Sequence, residues 1–249
     1  MTGIICINKE EGITSFGAVA RVRGITKEKK AGHTGTLDPM ATGVLPVMLG
    51  GATRFLSFLP NSDKGYRAEL KLGITTDTLD ITGNVTGEYE VNASVDDVKA
   101  VLADFTGVIQ QVPPMYSAKS VDGVRLYDLA REGKIIKREP CTVEIKELSL
   151  ACFDENEHTY TIDVLCSKGT YIRSLIDDIG TRLGCGAAMT RLCRTQAMGF
   201  DLSRCVTLDE LEQMKNNGTG FESALIGIEE IFSCYKSVCV SSAQSTRFF

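Results

Sequence analysis

The sequence predicts an α+β fold from two kinds of periodicity and from its length. Alternation of apolar and polar residues, which is typical of a half-buried strand, runs over residues 66–72 and recurs over 143–150 and 160–164. Apolar residues at helical spacing occupy 95–105, where Ser94 and Asp97 form a capping-box pattern, and 172–183. With 249 residues, 43% of them hydrophobic, the chain is long enough for one large domain, alone or with a small appendage.

The cysteine pattern and the apolar runs indicate an intracellular protein. The nine cysteines are scattered, odd in number and without a C-x-x-C pair, so we expect reduced core thiols and no zinc site. The longest apolar run near the start, residues 4–7, is too short for the core of a signal peptide, and no run approaches a membrane span. These features predict a soluble, cytoplasmic protein that does not bind membranes.

Charge is distributed unevenly along the chain. The formal net charge is −5, yet residues 21–30 hold five basic residues against one acid, and residues 167–204 hold six against three. Seven carboxylates collect over residues 77–104. This distribution permits a basic face on an acidic body, and it fits ordinary solvated helix faces equally well.

Residues 32–45 form the most unusual stretch of the sequence. Three glycines, three threonines and a proline exclude a regular helix and predict a shaped loop. Asp38 precedes Pro39, which pushes the aspartate toward extended backbone. Residues 44–49 then predict a buried strand, which Pro46 places toward an edge of the sheet. A carboxylate on such a loop suits a nucleophile or a general base, although an isolated Asp-Pro is more often a simple turn.

The same stretch resembles the catalytic loop of the TruB family of tRNA pseudouridine synthases. That loop has the pattern G-H-x-G-T-L-D-P-x-A-x-G-x-L, and all ten fixed positions are filled here. The resemblance covers residues 3 to about 232, and its further motifs are K-x-Y at 64–66, T-D-T-x-D at 76–80, Q-x-P-P-x-Y-S-A at 111–118, S-K-G-T-Y-I-R-S-L at 167–175, and L-R-R-T at 192–195 with Cys193 replacing the first arginine. It implies the pseudouridine synthase fold, a mixed, mostly antiparallel central sheet flanked by helices with a catalytic cleft.

The resemblance also implies roles for individual residues. Asp38 would be the catalytic carboxylate, Arg173 its partner, and Tyr66 the ring that stacks on the target base and could move a proton. Without this resemblance, Tyr66 would be a core aromatic and Arg173 a surface residue or half of a structural ion pair. Substrate-binding roles are implied for His33, Leu192, Lys64, Lys168 and Tyr171.

The implied function is conversion of the uridine at position 55, in the T loop of tRNA, to pseudouridine. The base would be flipped out of the RNA, and the basic segments 21–30 and 168–194 would contact phosphates of the T arm. The chemistry requires no cofactor and no metal, and we expect a monomer. Residues 1–232 would form the catalytic domain, and residues 233–249 would begin a C-terminal PUA-like module, truncated or absent, with a strand starting at 235–240.

Two other functions remain open at this stage. One is a catalytically silent tRNA-binding chaperone on the same fold. The other is an unrelated hydrolase or phosphotransferase with an aspartyl nucleophile, which would require a second carboxylate or a metal-binding aspartate near Asp38. The next acid downstream in the sequence is Asp63.

Overall fold

Strands and helices are interspersed along the chain. The computed structural model describes residues 1–60, 63–117, 120–121, 123–134, 136–239 and 241. The strands are β1 (Gly3–Lys9), β2 (Ala31–His33), β3 (Thr42–Leu49), β4 (Lys64–Leu72), β5 (Ile74–Thr76), β6 (Val85–Glu88), β7 (Gly107–Gln111), β8 (Ser120–Val121), β9 (Val124–Arg125), β10 (Cys141–Asp154), β11 (Thr159–Cys166), β12 (Ala187–Ala197), β13 (Phe200–Asp201) and β14 (Leu225–Ile226). The α-helices are α1 (Ser15–Thr26), α2 (Val95–Asp104), α3 (Leu126–Arg131), α4 (Ile172–Leu183), α5 (Leu208–Asn217) and α6 (Ile228–Ile231), and 3-10 turns span Gly50–Phe58 and Leu202–Arg204.

A ten-stranded mixed sheet forms the centre of the fold. Its strand order is β14-β1-β3-β12-β4-β11-β10-β7, with β2 beside β3 and β13 beside β12. Neighbouring strands run antiparallel except β3 and β12, which pair in parallel at Thr42 with Cys193 and at Gly43 with Arg194. The predicted α+β fold with a mostly antiparallel sheet is therefore confirmed.

Helices α1, α2, α4 and α5 pack on one face of this sheet. Because successive residues of a strand point to opposite faces, Ile5 and Ile7 of β1 join the large buried cluster that includes Ile179 of α4. Ile4 and Cys6 point the other way, into a smaller cluster closed by α6. The main core thus lies between the sheet and the four helices, and it supports the strands that carry the site.

The sequence offers Thr14 or Ser15 as the cap of a first helix, and capping-box patterns at Ser94 with Asp97 and at Thr207 with Glu210 predict two further helix starts. Thr14 precedes α1, and its side-chain oxygen accepts a hydrogen bond from the amide of Gly17. Helices α2 and α5 begin with complete capping boxes, Ser94 with Asp97 and Thr207 with Glu210. Local side-chain chemistry was therefore sufficient to locate these helix starts.

The prediction that Pro46 marks an edge strand is wrong. Strand β3 lies inside the sheet, between β1 on one side and β12 and β2 on the other. Pro46 faces Cys6 across the pair with β1, and its carbonyl accepts a hydrogen bond from the amide of Thr34 over 3.2 Å. Strand β12 pairs with β3 at residues 42–43 and β2 at residues 47–49, so the proline lies where no ladder donor is required.

The strand predicted to start at 235–240 is not found over the described part of that range. Residues 236–239 have no regular secondary structure, and Val240 lies outside the described residues. Likewise, Asp122 of the predicted hairpin turn lies outside them, although β8 and β9 pair on either side of it. Among the helices that the structure describes, none has the length and apolar character needed to cross a membrane.

Candidate active site

The loop that carries Asp38 is anchored to the start of α1 and to the end of β1. The Ser15 hydroxyl donates to the carbonyl of Leu37 over 3.0 Å and accepts from the Leu37 amide over 2.8 Å. Lys9 donates its Nζ to the carbonyl of Pro39 over 3.2 Å. Both neighbours of Asp38 are therefore fixed by side chains from other elements, which holds the carboxylate in one place.

Arg173 bridges two carboxylates. Its Nη2 lies 3.0 Å from Oδ2 of Asp38, and its Nη1 lies 3.5 Å from Oδ2 of Asp80. The same two nitrogens donate to the carbonyls of Tyr116, over 2.7 Å, and Thr78, over 3.0 Å. The Asp80 side chain is 6% exposed and the Asp38 side chain 35% exposed. Arg173 is thus held on its buried side, and Asp38 is the carboxylate that opens outward.

The segment after β7 fixes the first turn of α4, where Arg173 lies. The Gln111 side chain accepts from the amide of Tyr171 over 2.7 Å and donates to the carbonyl of the same residue over 3.0 Å. The Ser174 hydroxyl donates to the carbonyl of Val112 over 3.0 Å. These contacts satisfy backbone groups at the helix start and aim the arginine at the Asp38 loop.

A cleft of about 230 Å³ lies beside the Asp38 carboxylate. Tyr66 on β4 and Leu192 on the adjacent strand β12 both line it, and Lys64 contributes a cation. The remaining lining residues are Thr36, Leu37, Ser117, Gly169, Thr170, Tyr171, Ile172 and Arg173. Apolar and aromatic walls with a few fixed charged groups suit a polar aromatic ligand such as a nucleobase.

A second cavity of about 590 Å³ adjoins this cleft and shares Asp38, Ser117 and Arg173 with it. Its walls include the rings of Phe16 and Tyr116. The Ser117 side chain is buried, and its hydroxyl has no hydrogen-bond partner in the part of the chain that the structure describes. The two cavities therefore share a wall that includes the Asp38 and Arg173 pair.

Burial is the main electrostatic influence on the cleft residues. Burial raises the pKa of Asp38, and the charge of Asp80 raises it further. The charge of Arg173 lowers this pKa, as predicted, but its effect is smaller than that of burial. Burial, assisted by the charge of Arg194, lowers the pKa of Lys64 to about 8. Burial raises the pKa of the Tyr66 hydroxyl, and the charge of Arg194 opposes that shift.

Six of the eight predicted site residues line the cleft, namely Asp38, Lys64, Tyr66, Tyr171, Arg173 and Leu192. Lys168 does not: it is exposed in the turn whose next two residues reach the cleft wall. His33 lies on β2, where its ring packs edge-on against Phe16 with 5.1 Å between centroids. Burial and the charge of Arg194 lower the pKa of His33. The roles assigned to these eight residues stay predictions.

Two buried charged residues of the site were not identified from the sequence. Asp80 was interpreted as part of a polar turn, yet it pairs with Arg173. Arg194 was counted among the basic residues that contact phosphates, which is wrong, because its side chain is completely buried. The available signals were their places in two motifs of the resemblance, T-D-T-x-D for Asp80 and L-R-R-T for Arg194, whereas periodicity distinguished neither from an exposed residue.

The predicted basic segment 168–194 does not form one continuous exposed face. Arg173 and Arg194 are buried. Arg182 is exposed and paired with Asp104 at 3.2 Å. Arg191 is exposed as well, at 3.9 Å from Glu69. A spacing of basic residues in sequence therefore did not correspond to a shared surface.

The hydrolase or phosphotransferase alternative required a second carboxylate near Asp38. Asp80 is such a carboxylate, but its Oδ1 accepts from the Thr78 hydroxyl over 2.9 Å and the Thr82 amide over 3.0 Å, and its Oδ2 faces Arg173. Within the described ranges, no three histidine, cysteine or acidic side chains lie close enough to hold a metal ion. The carboxylate of Asp80 is thus engaged in holding Arg173.

Comparison with protein-family models gives two adjacent matches. Residues 23–172 match the model described as TruB family pseudouridylate synthase, N-terminal domain, and residues 173–232 match the tRNA pseudouridylate synthase B C-terminal domain. The first match alone covers more than half of the chain. The chain belongs to the TruB family of pseudouridylate synthases. It is therefore a pseudouridine synthase, which is an isomerase, and the cleft lies within the matched residues.

Curated TruB-family relatives are similar over most of the chain. The chain is 49% identical over 218 residues to tRNA pseudouridine synthase B of Pseudomonas fluorescens strain Pf-5, covering 88% of this chain and 71% of the relative. The corresponding enzymes of Pseudomonas syringae and Stutzerimonas stutzeri are 48% and 47% identical over the same number of residues, with the same coverage. These relatives share the name tRNA pseudouridine synthase B.

Solved structures of related proteins share the fold. A Cbf5-Nop10-Gar1 complex contains a chain that superposes with a TM-score of 0.70 at 30% identity, over 92% of this chain and 61% of that one. An H/ACA RNP bound to a substrate RNA containing 2′-deoxyuridine gives a TM-score of 0.68 at 28% identity, over 92% of this chain and 60% of that one. This TruB-family chain spans about three fifths of the length of these structural neighbours.

Proposed function

We propose that this protein converts the uridine at position 55, in the T loop of tRNA, to pseudouridine, with Asp38 as the catalytic group. The observation that carries the proposal is the Asp38 carboxylate, paired with Arg173 at 3.0 Å and open to a cleft walled by Tyr66 and Leu192. Its relatives named tRNA pseudouridine synthase B support tRNA as the substrate.

In this proposal the target base leaves the RNA stack and enters the cleft between Tyr66 and Leu192. Stacking on an aromatic face compensates part of the cost of unstacking the base. The Asp38 carboxylate attacks the nucleotide or stabilises its electron-poor sugar while the bond between N1 and C1′ breaks. The uracil rotates, C5 bonds to C1′, the hydrogen on C5 leaves as a proton and N1 takes up a proton. Atoms and electrons balance without a co-reactant.

Arg173 serves this reaction by orienting Asp38. It favours the charged form of the carboxylate and thereby limits the rise in pKa that burial causes. Asp80 and two backbone carbonyls bind the guanidinium on its buried side, so its position should not change when the substrate binds. The carboxylate is thus presented in a fixed direction before the base arrives.

Lys64 and the adjoining cavity supply contacts for the RNA around the target base. The Lys64 ammonium lines the cleft and suits a phosphate of the flipped nucleotide. Phe16 is 66% exposed at the second cavity and offers a ring on which a neighbouring base can stack. Exposed Lys168, at the rim, suits a further phosphate.

The remaining parts of the proposal concern the setting of the enzyme. We propose that it works as a monomer in the cytoplasm, where tRNA is its partner. In this proposal residues 1–232 form the catalytic domain.

Release of tritium from a T-arm stem-loop labelled at C5 of its uridines tests the reaction, because bond formation at C5 expels that hydrogen. We expect stoichiometric release from position 55 and none from a stem-loop that carries cytidine there. A folded protein that binds the stem-loop without releasing tritium would instead be the silent chaperone that the sequence left open. Release that persists with cytidine at position 55 would assign the activity to a different uridine.

A further inference from the structure

Arg194 is a buried cation that the proposed mechanism does not use. Its side chain is completely buried, and it is the largest fully buried side chain in the part of the chain that the structure describes. Its hydrogen bonds go to neutral acceptors, the carbonyls of Val44, Thr36 and Gly35. Burying a charge against neutral groups is costly, so residues of this kind are expected mainly where function requires them.

The three carbonyls lie at the two ends of the Asp38 loop. Nε donates to Val44, at the exit of the loop, over 2.7 Å. Nη1 and Nη2 donate to Thr36 and Gly35, at its entrance, over 3.3 Å and 3.2 Å. The planar fork of a guanidinium can serve several acceptors in one fixed geometry, which an ammonium cannot. One side chain therefore closes the loop that carries the catalytic carboxylate.

The backbone of Arg194 makes the same connection. Gly43 pairs in parallel with Arg194, and a Cβ atom at Gly43 would collide with the Arg194 carbonyl oxygen. On its other side Arg194 pairs with Tyr66 across β4 and β12. Strand β12 thus passes between the Asp38 loop and the strand that carries Tyr66, with Arg194 at the crossing point.

The guanidinium also acts on the Tyr66 hydroxyl. Its charge lowers the pKa of this phenol and opposes the effect of burial, which raises it. To accept the proton that leaves C5, the phenol must first lose its own proton, and the nearby charge of Arg194 makes that loss less costly than burial alone would allow.

We propose that Arg194 is a positioning residue for the isomerisation, which sets the Asp38 loop and the Tyr66 hydroxyl at a fixed distance and orientation from each other. This rests on the proposed roles of Asp38 and Tyr66. The Arg194 side chain lines neither of the two cavities, and the cation paired with the Asp38 carboxylate is Arg173. Its effect on the reaction passes through the loop backbone and through the phenol.

The test uses Arg194→Lys, which keeps the charge and removes the fork, in single-turnover reactions with the T-arm stem-loop. We expect the rate constant to fall roughly 10- to 100-fold, less than the roughly 100- to 10,000-fold that general acid-base catalysis contributes, because the groups are displaced and not removed, with stem-loop affinity retained. With deuterium at C5, the isotope effect on that rate constant should rise above the wild-type value, because proton removal becomes slower. Arg67→Gln, on the neighbouring strand β4 with a 59% exposed side chain, is the control and should change neither the rate constant nor the isotope effect.

The substitution is repeated on a Tyr66→Phe background. If Arg194 acts partly through the phenol, Arg194→Lys should cost less there than in the wild type. If Arg194→Lys lowers the rate constant equally on both backgrounds and leaves the isotope effect unchanged, Arg194 has only a structural role and the proposal is overturned. Wild-type turnover of Arg194→Lys would overturn it as well.

A measurement on the unmodified protein covers the case in which Arg194→Lys does not fold. Nitrogen-15 spectra of arginine side chains should show separate, slowly exchanging Nη signals for Arg194, assigned through contacts to Val44, because three carbonyls prevent rotation. The exposed Arg191 should give averaged signals. Averaged Arg194 signals would overturn the proposal whatever the variants do. Failure of the proposed function is distinct, since the wild-type protein would then release no tritium.

Discussion

Arg173 and Asp80 form the buried part of an ion-pair network whose other carboxylate is Asp38. Nη1 of Arg173 lies 3.5 Å from Oδ2 of Asp80, and the two side chains are 9% and 6% exposed. Asp80 is fixed in turn by hydrogen bonds from Thr78 and Thr82. The network therefore transmits the rigidity of a polar turn to the carboxylate that faces the cleft.

Replacing Arg173 with methionine should destabilise the protein strongly. The substitution leaves Asp80 buried without its cation, which typically costs about 3–5 kcal/mol. The free energy of unfolding in urea measures this loss. Arg182→Gln is the control on the same helix, because the Arg182 and Asp104 side chains are 65% and 58% exposed and such pairs contribute at most about 1 kcal/mol. Equal losses for both variants would contradict a buried network.

Asp80→Asn should shift the acidic limb of the pH-rate profile to lower pH. The Asp80 charge raises the pKa of Asp38, so its removal lets Asp38 ionise at lower pH. The proposed mechanism requires the ionised form, so activity should be lost as pH falls through the pKa of Asp38. The logarithm of kcat/KM against pH measures the limb. Asp104→Asn serves as the control with an exposed carboxylate on α2. A limb that moves to higher pH, or does not move, argues against electrostatic coupling of the two carboxylates.

RNA affinity should weaken as pH rises through about 8, because burial lowers the pKa of Lys64 to that value. Only the ammonium form attracts a phosphate, and RNA binding favours that form, so affinity is highest below this pKa and falls above it. Fluorescence anisotropy of a labelled stem-loop on either side of pH 8 gives the Kd. Lys64→Gln should weaken binding at low pH and remove the dependence, whereas Lys168→Gln should keep it. An unchanged pH dependence in Lys64→Gln assigns the titration to another group.

Gly43→Ala should destabilise the protein and slow turnover together. Gly43 has φ of 100°, which favours glycine, and an added Cβ meets the backbone of Arg194. The matched substitution is Gly24→Ala, inside α1 with no atom near the added Cβ, and it should stabilise the protein by roughly 0.5–1 kcal/mol. Thermal unfolding and single-turnover rates measure both variants. If Gly43→Ala changed neither stability nor turnover, the close parallel pairing of β3 with β12 at this residue would be contradicted.

Local sequence signals predicted the strands at residues 44–49, 66–72, 143–150 and 160–164, the helix caps and the loop character of residues 32–45, whereas several short strands were not predicted and the strand predicted at 235–240 was not found over its described residues. Thr14 and the Ser94 and Thr207 capping boxes were recognisable because a cap involves residues three positions apart. The resemblance to the TruB family brought Asp38 and Arg173 together, which no periodicity indicates. Family membership could thus be inferred before any coordinate was considered.

The features that were missed depend on contacts between distant parts of the chain. Arg194 can be buried because three carbonyls about 150 residues away in sequence accept hydrogen bonds from its guanidinium. The apolar and polar pattern of the neighbouring residues does not indicate this burial. Pro46 is tolerated inside the sheet because β12 and β2 leave its nitrogen unopposed. Asp80 was predicted as a turn residue because its neighbours in sequence do not show that Arg173, at the start of α4, packs against it. Each of these depends on tertiary pairing, which short-range patterns do not encode.

Single-turnover kinetics of Asp38→Asn test the central claim most directly. The asparagine keeps the shape and one acceptor oxygen for Arg173, and it removes a carboxylate whose pKa is raised by burial, so thermal stability at neutral pH should not fall. We predict stem-loop affinity like that of the wild type and no detectable tritium release. A variant that folds, binds and still releases tritium at the wild-type rate would contradict the account, because the charge on Asp38 would then have no part in the isomerisation.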